Sequence, residues 1–331
     1  MSEPQSSALP EAEKAAVEPH KILPEQGLLP TQATNAFRGD NAGTGWRLLT
    51  YVACAFFTVY LTMWFGTSFF REPVRGPAVL WQEMYAQAAL ALGVLLPAFL
   101  LARVEGTKVD EYGLPRRQAF GTMFWMGGLW GFASITVLML ALRGVRAFYF
   151  GQVVLHGVRS LRFAAFWGVF FVLVGLTEEF AMRGYSQYTL AKRVGFWPAA
   201  AVLSLAFGAI HLRNPGETWL GLAGVVAIGF FFCLTLYRTG NLWFAVGFHA
   251  FWDWAQTYLY SVPDSGTVEV GHLMRPSFQG PDWLTGGSVG PEGSVLCFVV
   301  IAAVSGVFAW RYREVKYTAG GRKENAHPSG A

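Results

Sequence analysis

Six ionisable side chains stand inside strongly apolar stretches of this sequence, where charged residues are rare. They are Glu178, Glu179, Arg183, His211, His249 and Asp253. If these stretches span a membrane, each charge near the bilayer centre costs at least ~2.5–3.5 kcal/mol, so such residues are expected to be buried, paired and functional. Glu and His are also side chains that transfer protons near neutral pH once their surroundings tune them.

The composition supports a membrane setting for these stretches. Of the 331 residues, 53% are hydrophobic and only 14% are charged, whereas a soluble domain has roughly 25% charged residues. The mean hydropathy is +0.35. The apolar residues cluster into blocks near the ~20 residues that a bilayer-spanning helix needs. The sequence therefore predicts an all-α, polytopic membrane protein.

The hydropathy pattern predicts about eight transmembrane helices, and the helical pattern of the fourth runs on towards Leu190. The predicted spans are Leu48–Phe65, Tyr85–Ala102, Phe120–Leu142, Phe163–Leu176, Phe196–Leu212, Trp219–Tyr237, Leu242–Tyr260 and Val295–Trp310.

The spans divide the chain into six regions. The segment Arg143–Arg162 carries four arginines and is expected to be an amphipathic helix on the membrane surface. The regions are a disordered cytoplasmic tail over 1–46, three spans and this surface segment over 47–162, a four-helix core over 163–260, an outer loop over 261–293, a last span over 294–311, and a cytoplasmic tail over 312–331.

The positive charges predict the orientation of the chain. With the N-terminus inside, sixteen Lys and Arg residues fall in cytoplasmic segments and eight in outer ones. By the positive-inside rule both termini face the cytoplasm of a multi-pass protein in the cell (inner) membrane. The same rule accounts for the net charge of +4, and no basic stripe interleaved with aromatics predicts nucleic-acid binding.

Helical spacing predicts how the charged side chains are arranged. Glu179 and Arg183 are four residues apart, so they share a helix face and can pair. Glu178 is rotated by about 100° from Glu179 and is free to point elsewhere in the bundle. His249 and Asp253 are also four apart, and a carboxylate there can fix the tautomer and orientation of the imidazole.

Three of these groups are expected at a similar depth in the membrane. At ~1.5 Å per helical residue, Glu178, His211 and His249 come to a common level from three successive predicted helices. A buried Glu178 carboxylate could act as general base on a water that His211 shares or orients. His249 could donate to an oxyanion, and Phe207, one turn before His211, is expected to wall the substrate pocket.

The same residues carry a family resemblance. The run Glu178-Glu179-Phe-Ala-Met-Arg183 resembles the EExxxR motif of the CAAX prenyl endopeptidase and bacteriocin-processing (CPBP, formerly Abi) family. Phe207-Gly-Ala-Ile-His211 resembles its FxxxH motif, and His249-Ala-Phe-Trp-Asp253 resembles its HxxxN or HxxxD motif. All three occur in the family order on separate predicted helices. The resemblance covers roughly Phe163–Tyr260.

The resemblance implies an eight-helix intramembrane endopeptidase that opens towards the cytosolic side. It assigns water activation to Glu178 and His211, and oxyanion stabilisation to His249 and Asp253. An Asp donates a hydrogen bond only when protonated, so Asp253 has two candidate roles, oxyanion donor or orienter of His249. The implied substrate is a membrane-associated peptide or lipidated protein, including the prenylated CAAX type, and membrane lipid surrounds the protein.

The sequence leaves a metal open. Glu and His suit zinc, and a bound ion would use Glu178, His211 and His249. There is no HExxH helix of the common zinc-protease type, and none of the three cysteines has a CxxC partner.

Two other functions remain open from the residues alone. Intramembrane Glu and His also build proton relays, which would suit a proton-coupled transporter. Alternatively, the polar cluster holds helices together in a non-catalytic membrane scaffold or bacteriocin-immunity protein.

Overall fold

The protein is an all-α, polytopic membrane protein with one small two-stranded sheet. The computed structural model describes residues 1, 41–68, 70, 77–214, 216–267 and 270–317. Its helices are α1 Asn41–Gly66, α2 Pro77–Glu105, α3 Thr122–Gly144, α4 Gly157–Glu179, α5 Gln187–Val194, α6 Phe196–His211, α7 Trp219–Thr239, α8 Trp243–Trp254, α9 Asp282–Thr285 and α10 Val295–Arg311, with π-helices over Phe180–Ser186 and Ala255–Leu259 and strands β1 Phe148–Val153 and β2 Met274–Phe278.

All eight predicted spans coincide with helices. By length and composition, five helices in the described part of the chain can cross a bilayer: α1, α2, α3, the continuous helix Gly157–Val194 that joins α4 to α5, and α7. Helices α6 and α10 are apolar but shorter, and α8 continues into a π-helix. The expected all-α membrane fold is confirmed.

Several predicted boundaries differ from the structure. Helix α1 begins at Asn41, so residues 41–46 are helical and do not belong to a tail. The fourth span begins at Gly157, six residues before the predicted Phe163. The rest of the predicted N-terminal tail, residues 2–40, and residues 318–331 of the predicted C-terminal tail lie outside the described residues.

The prediction of an amphipathic surface helix over Arg143–Arg162 is wrong. Strand β1 lies inside this segment and pairs antiparallel with β2 of the outer loop, with Phe148 opposite Phe278. A Phe-Tyr-Phe run favours a strand. A Cβ on Gly151 would lie 1.8 Å from the carbonyl oxygen of Arg275, so the two backbones meet where glycine stands. The partner strand lies far along the sequence, so local pattern alone could not reveal the pairing.

Glycines bring α3 and α8 into backbone contact. A Cβ on Gly127 would lie 2.0 Å from the carbonyl oxygen of Phe244, and one on Gly131 would lie 2.1 Å from that of Phe248. Gly247 faces the Phe124 carbonyl in the same way at 2.0 Å. Small residues at this four-residue spacing let membrane helices approach closely. The contact fixes the helix that carries His249.

Replacing Gly131 by Val should therefore prevent close packing of α3 on α8. Overpacking a tight interface costs roughly 1–3 kcal/mol or more, so we expect a lower unfolding temperature in detergent and a lower yield from membranes. The matched control is Gly306→Val on α10, where a Cβ would meet nothing within 4 Å. Equal unfolding temperatures for the two variants would contradict the backbone contact.

Two acids of the outer loop, the buried Asp264 and the half-buried Glu292, hold it in place. Glu292 Oε2 accepts hydrogen bonds from the backbone N–H and Oγ of Ser265, both at 3.0 Å. Asp264 Oδ2 accepts from Thr257 Oγ1 at 2.9 Å. Burial, and then the nearby Asp253 carboxylate, raise the pKa of Asp264 well above its usual value and also raise that of Glu292.

This shift predicts how stability depends on pH. When the pKa of a carboxyl is higher in the folded protein than in the unfolded chain, the folded protein becomes less stable as the pH rises from the unfolded pKa towards the folded one. We therefore expect Asp264→Asn to match the wild type near about pH 4 and to unfold at a higher temperature near about pH 8. Thermal unfolding across this range measures the difference.

The control for this measurement is Asp282→Asn, which changes an exposed acid of the same loop. Its unfolding temperature should follow the wild type at every pH. An Asp264→Asn protein that is less stable than the wild type at the alkaline end would contradict the raised pKa.

Candidate active site

The Glu179 carboxylate is shared between two partners in the centre of the bundle. Its Oε1 lies 3.3 Å from Arg183 Nη1 and 2.9 Å from His249 Nδ1. Glu179 and Arg183 are fully buried. The i,i+4 spacing predicted the pair with Arg183, but nothing in the sequence predicted the second contact. This carboxylate joins α4, the following π-helix and α8.

Glu178 points away from that pair, as its rotation around the helix predicts. Its side chain is 35% exposed, and Oε2 lies 3.7 Å from His249 Nε2. It lines a cavity together with His211 and His249. The two adjacent glutamates thus occupy different surroundings, since Glu179 is enclosed by protein and Glu178 faces open space.

Both ring nitrogens of His249 face carboxylates. Nδ1 contacts Glu179, and Nε2 lies 3.2 Å from Asp253 Oδ2. The ring also stacks on Phe232, with centroids 5.6 Å apart and planes 15° from parallel. These contacts fix the position and tilt of the imidazole. The predicted contact between His249 and Asp253 is present.

The contact of His211 with the backbone of Phe207 defines the tautomer of its ring. Its Nδ1 lies 2.8 Å from the backbone carbonyl oxygen of Phe207. A carbonyl only accepts, so Nδ1 carries the proton and Nε2 of the neutral ring is a hydrogen-bond acceptor. The Phe207 ring meets the imidazole edge to face at 4.7 Å. The Arg183 guanidinium lies over the Phe207 ring, 4.5 Å from its centroid, in a cation–π interaction.

A π-helix over Phe180–Ser186 carries Arg183 and interrupts the long fourth helix. Gly184 within it has φ −83° and ψ −111°, outside the helical range. Such π segments are frequent at functional sites. The next residue, Tyr185, is fully buried and donates to Glu105 Oε1 at 2.7 Å, and Arg47 Nε also donates to this oxygen, at 2.8 Å. Helices α1 and α2 therefore hold the segment that positions Arg183.

The cavity at the site has a volume of about 240 Å³. Its walls are largely aromatic and aliphatic, and Phe207 is part of the lining, as predicted. Two acids of the outer loop, Asp264 and Glu292, also line it. The sequence did not predict these two acids, because each has the pattern of an ordinary loop residue. The one feature that could have drawn attention to them is that the long Gly- and Pro-rich loop contains few charges.

The cavity extends to the end of the bundle that carries the outer loop, where Asn214, Ser265 and Thr267 contribute to its lining. The charge distribution predicts that this end is outside the cell, whereas the family resemblance implies access from the cytosolic side. These two expectations disagree for this chain. The cavity lies in the half of the bundle that carries the outer loop.

The predicted zinc ligands do not fit a metal as they are arranged. Both nitrogens of His249 already face carboxylate oxygens, so no lone pair is directed to an ion shared with Glu178 and His211. Among the described residues, the cluster with metal-binding spacing is Asp253, Asp264 and Glu292, whose oxygens lie within 4.8 Å of one another. That set is oxygen-only, which suits hard cations better than zinc.

A family model matches the part of the chain that carries the candidate site. Residues 160–255 match the family model described as type II CAAX prenyl endopeptidase Rce1-like, a segment that contains all three motifs. Searches of curated proteins and of solved structures returned no match. Over residues 160–255 the resemblance to the CPBP family is confirmed, and this segment of the polytopic membrane protein is similar to the type II CAAX prenyl endopeptidase Rce1-like family.

Proposed function

We propose that this protein is an intramembrane endopeptidase that hydrolyses a peptide bond in a membrane-associated polypeptide. One observation carries the proposal: Glu178 lines a cavity with His211 and His249, while the adjacent Glu179 is withdrawn into the buried pair with Arg183. A charged carboxylate inside an apolar bundle is energetically costly, so its presence at a cavity indicates a functional role. The family match over 160–255 supports the reaction class.

In the proposed mechanism Glu178 is the general base. A water held between its carboxylate and Nε2 of His211 loses a proton to Glu178 as its oxygen attacks the substrate carbonyl carbon. The carbonyl π bond opens to an oxyanion. When the C–N bond breaks, the proton held by Glu178 passes to the leaving nitrogen, and the products are a carboxylic acid and an amine. No step runs through a metal.

His249 is proposed to stabilise the oxyanion by sharing its Nε2–H between the Asp253 carboxylate and the developing negative charge. It lies 3.7 Å from Glu178, so a carbonyl attacked by that water is within reach of the ring. Donors already in place when the charge develops lower the barrier most. Asp253 is proposed to orient His249, because its oxygen lies on Nε2 at 3.2 Å. This choice favours the orienting role over the role of oxyanion donor.

The cavity also indicates the class of substrate. Its aromatic and aliphatic walls suit an apolar side chain or a lipid-modified residue next to the scissile bond. A prenylated CAAX-type polypeptide is one such substrate. We propose the orientation that the charges predict, with both termini in the cytoplasm, which places the cavity in the outer half of the membrane.

The proposed base is tested by Glu178→Gln in protein reconstituted into liposomes. A general base contributes typically 10²–10⁴-fold, so we expect cleavage of a peptide carrying an apolar or prenylated residue to fall by at least about a hundredfold. Protein levels should stay near those of the wild type, because Glu178 makes no buried pair. Glu83→Gln on α2, which lies outside the cavity lining, is the matched control and should keep full activity.

Near-normal cleavage by the Glu178→Gln protein would reject the assigned base. If the wild type cleaved nothing and instead carried protons or solutes into the liposomes in a manner dependent on Glu178, the site would belong to a transporter.

A further inference from the structure

Part of the cavity wall comes from a turn outside the family match. Asp264, Ser265 and Thr267 line the cavity together with Glu178 and His211. Asp264 and Thr267 exchange backbone hydrogen bonds, at 2.9 Å from the Asp264 N–H and 2.8 Å from the Thr267 N–H. These contacts close a tight turn over residues 264–267 at the loop end of the cavity.

The turn needs support from the surrounding structure. Ser265 has φ +46°, a left-handed conformation that is unfavourable for a residue with a Cβ. Residues in such conformations persist only where neighbouring contacts hold them, and they cluster at functional sites.

Glu292 supplies that support from the far side of the loop. One carboxylate oxygen accepts both the backbone N–H and the Oγ of Ser265, each at 3.0 Å. The other oxygen accepts from the indole N–H of Trp252 at 3.2 Å. Trp252 lies three residues after His249 on α8. A carboxylate serves all three donors, whereas an amide would turn its NH₂ group towards one of them.

The turn is also tied to the loop that follows His211. The carbonyl oxygen of Ser265 accepts from Asn214 Nδ2 at 3.1 Å. The backbone N–H of Asn214 in turn donates to the carbonyl oxygen of His211 at 2.9 Å. The turn therefore lies between Glu292 and the C-terminal end of α6, where His211 stands.

We infer that Glu292 is a positioning residue that holds the 264–267 turn as a wall of the substrate cavity. The inference rests on the proposed endopeptidase function. It extends the site beyond residues 160–255 to the outer loop. Because the wall contacts substrate before and during the reaction, it contributes equally to binding the ground state and the transition state, and its loss raises KM more than it lowers kcat.

The test is steady-state kinetics of Glu292→Gln in the full-length, reconstituted protein. Disrupting hydrogen bonds to a charged acceptor is expected to raise KM by about ten- to a hundredfold, with kcat changed by less than about threefold. Hydrogen–deuterium exchange of residues 261–267 should become faster, because the turn loses its anchor.

A second variant covers the case in which Glu292→Gln does not accumulate. Ser265→Ala removes the Oγ donor alone, and its KM should rise in the same direction by roughly two- to tenfold. The control is Asp282→Asn, an equivalent acid-to-amide change at an exposed position of the same loop, which should leave KM and exchange unchanged.

The outcomes separate this inference from the proposed function. An unchanged KM in Glu292→Gln and Ser265→Ala, or a fall in kcat alone, would overturn the positioning role while leaving the endopeptidase intact. If the wild-type protein cleaves no peptide, the proposed function fails, and the exchange measurement still decides the role of Glu292. Unchanged exchange of residues 261–267 in the variant would then overturn the inference.

Discussion

The buried carboxylate of Glu179 is the constraint on which the rest of the site depends. In an apolar bundle a single carboxylate needs a counter-charge and hydrogen-bond donors. Glu179 obtains them from Arg183 in the same helix and from His249 on α8. Satisfying both partners sets the rotation of α4, and that rotation turns Glu178 into the cavity. Adjacent glutamates thereby become one supporting group and one proposed general base.

The segment that matches the family model does not hold this arrangement alone. The π-helix that carries Arg183 is tied through Tyr185 to Glu105, which also accepts from Arg47. A partly buried ion pair such as Arg47–Glu105 adds little net stability, but it defines where the π-helix lies. The glycines of α3 bring α8 and its His249 to backbone contact. Spans outside the family match therefore position the candidate site within it.

The sequence predicted what local spacing controls and missed what long-range contacts control. The pair of Glu179 with Arg183, and the contact of His249 with Asp253, follow from i,i+4 geometry. The contact of Glu179 with His249 joins residues 70 apart in the chain, and no helical period reveals it. The β1–β2 pairing was missed for the same reason, and so were the loop acids that line the cavity. Apolar block lengths were sufficient to predict the helical membrane fold.

The central claim is that Glu179 holds the site together and that Glu178 acts. The most direct test compares thermal unfolding of Glu179→Gln and Glu178→Gln in one detergent. Removing the charge of Glu179 leaves the buried Arg183 without its counter-charge, which lowers the free energy of unfolding by on the order of 3–5 kcal/mol. The account predicts a clearly lower unfolding temperature for Glu179→Gln and a nearly unchanged one for Glu178→Gln. Equal temperatures, or the reverse order, would contradict it.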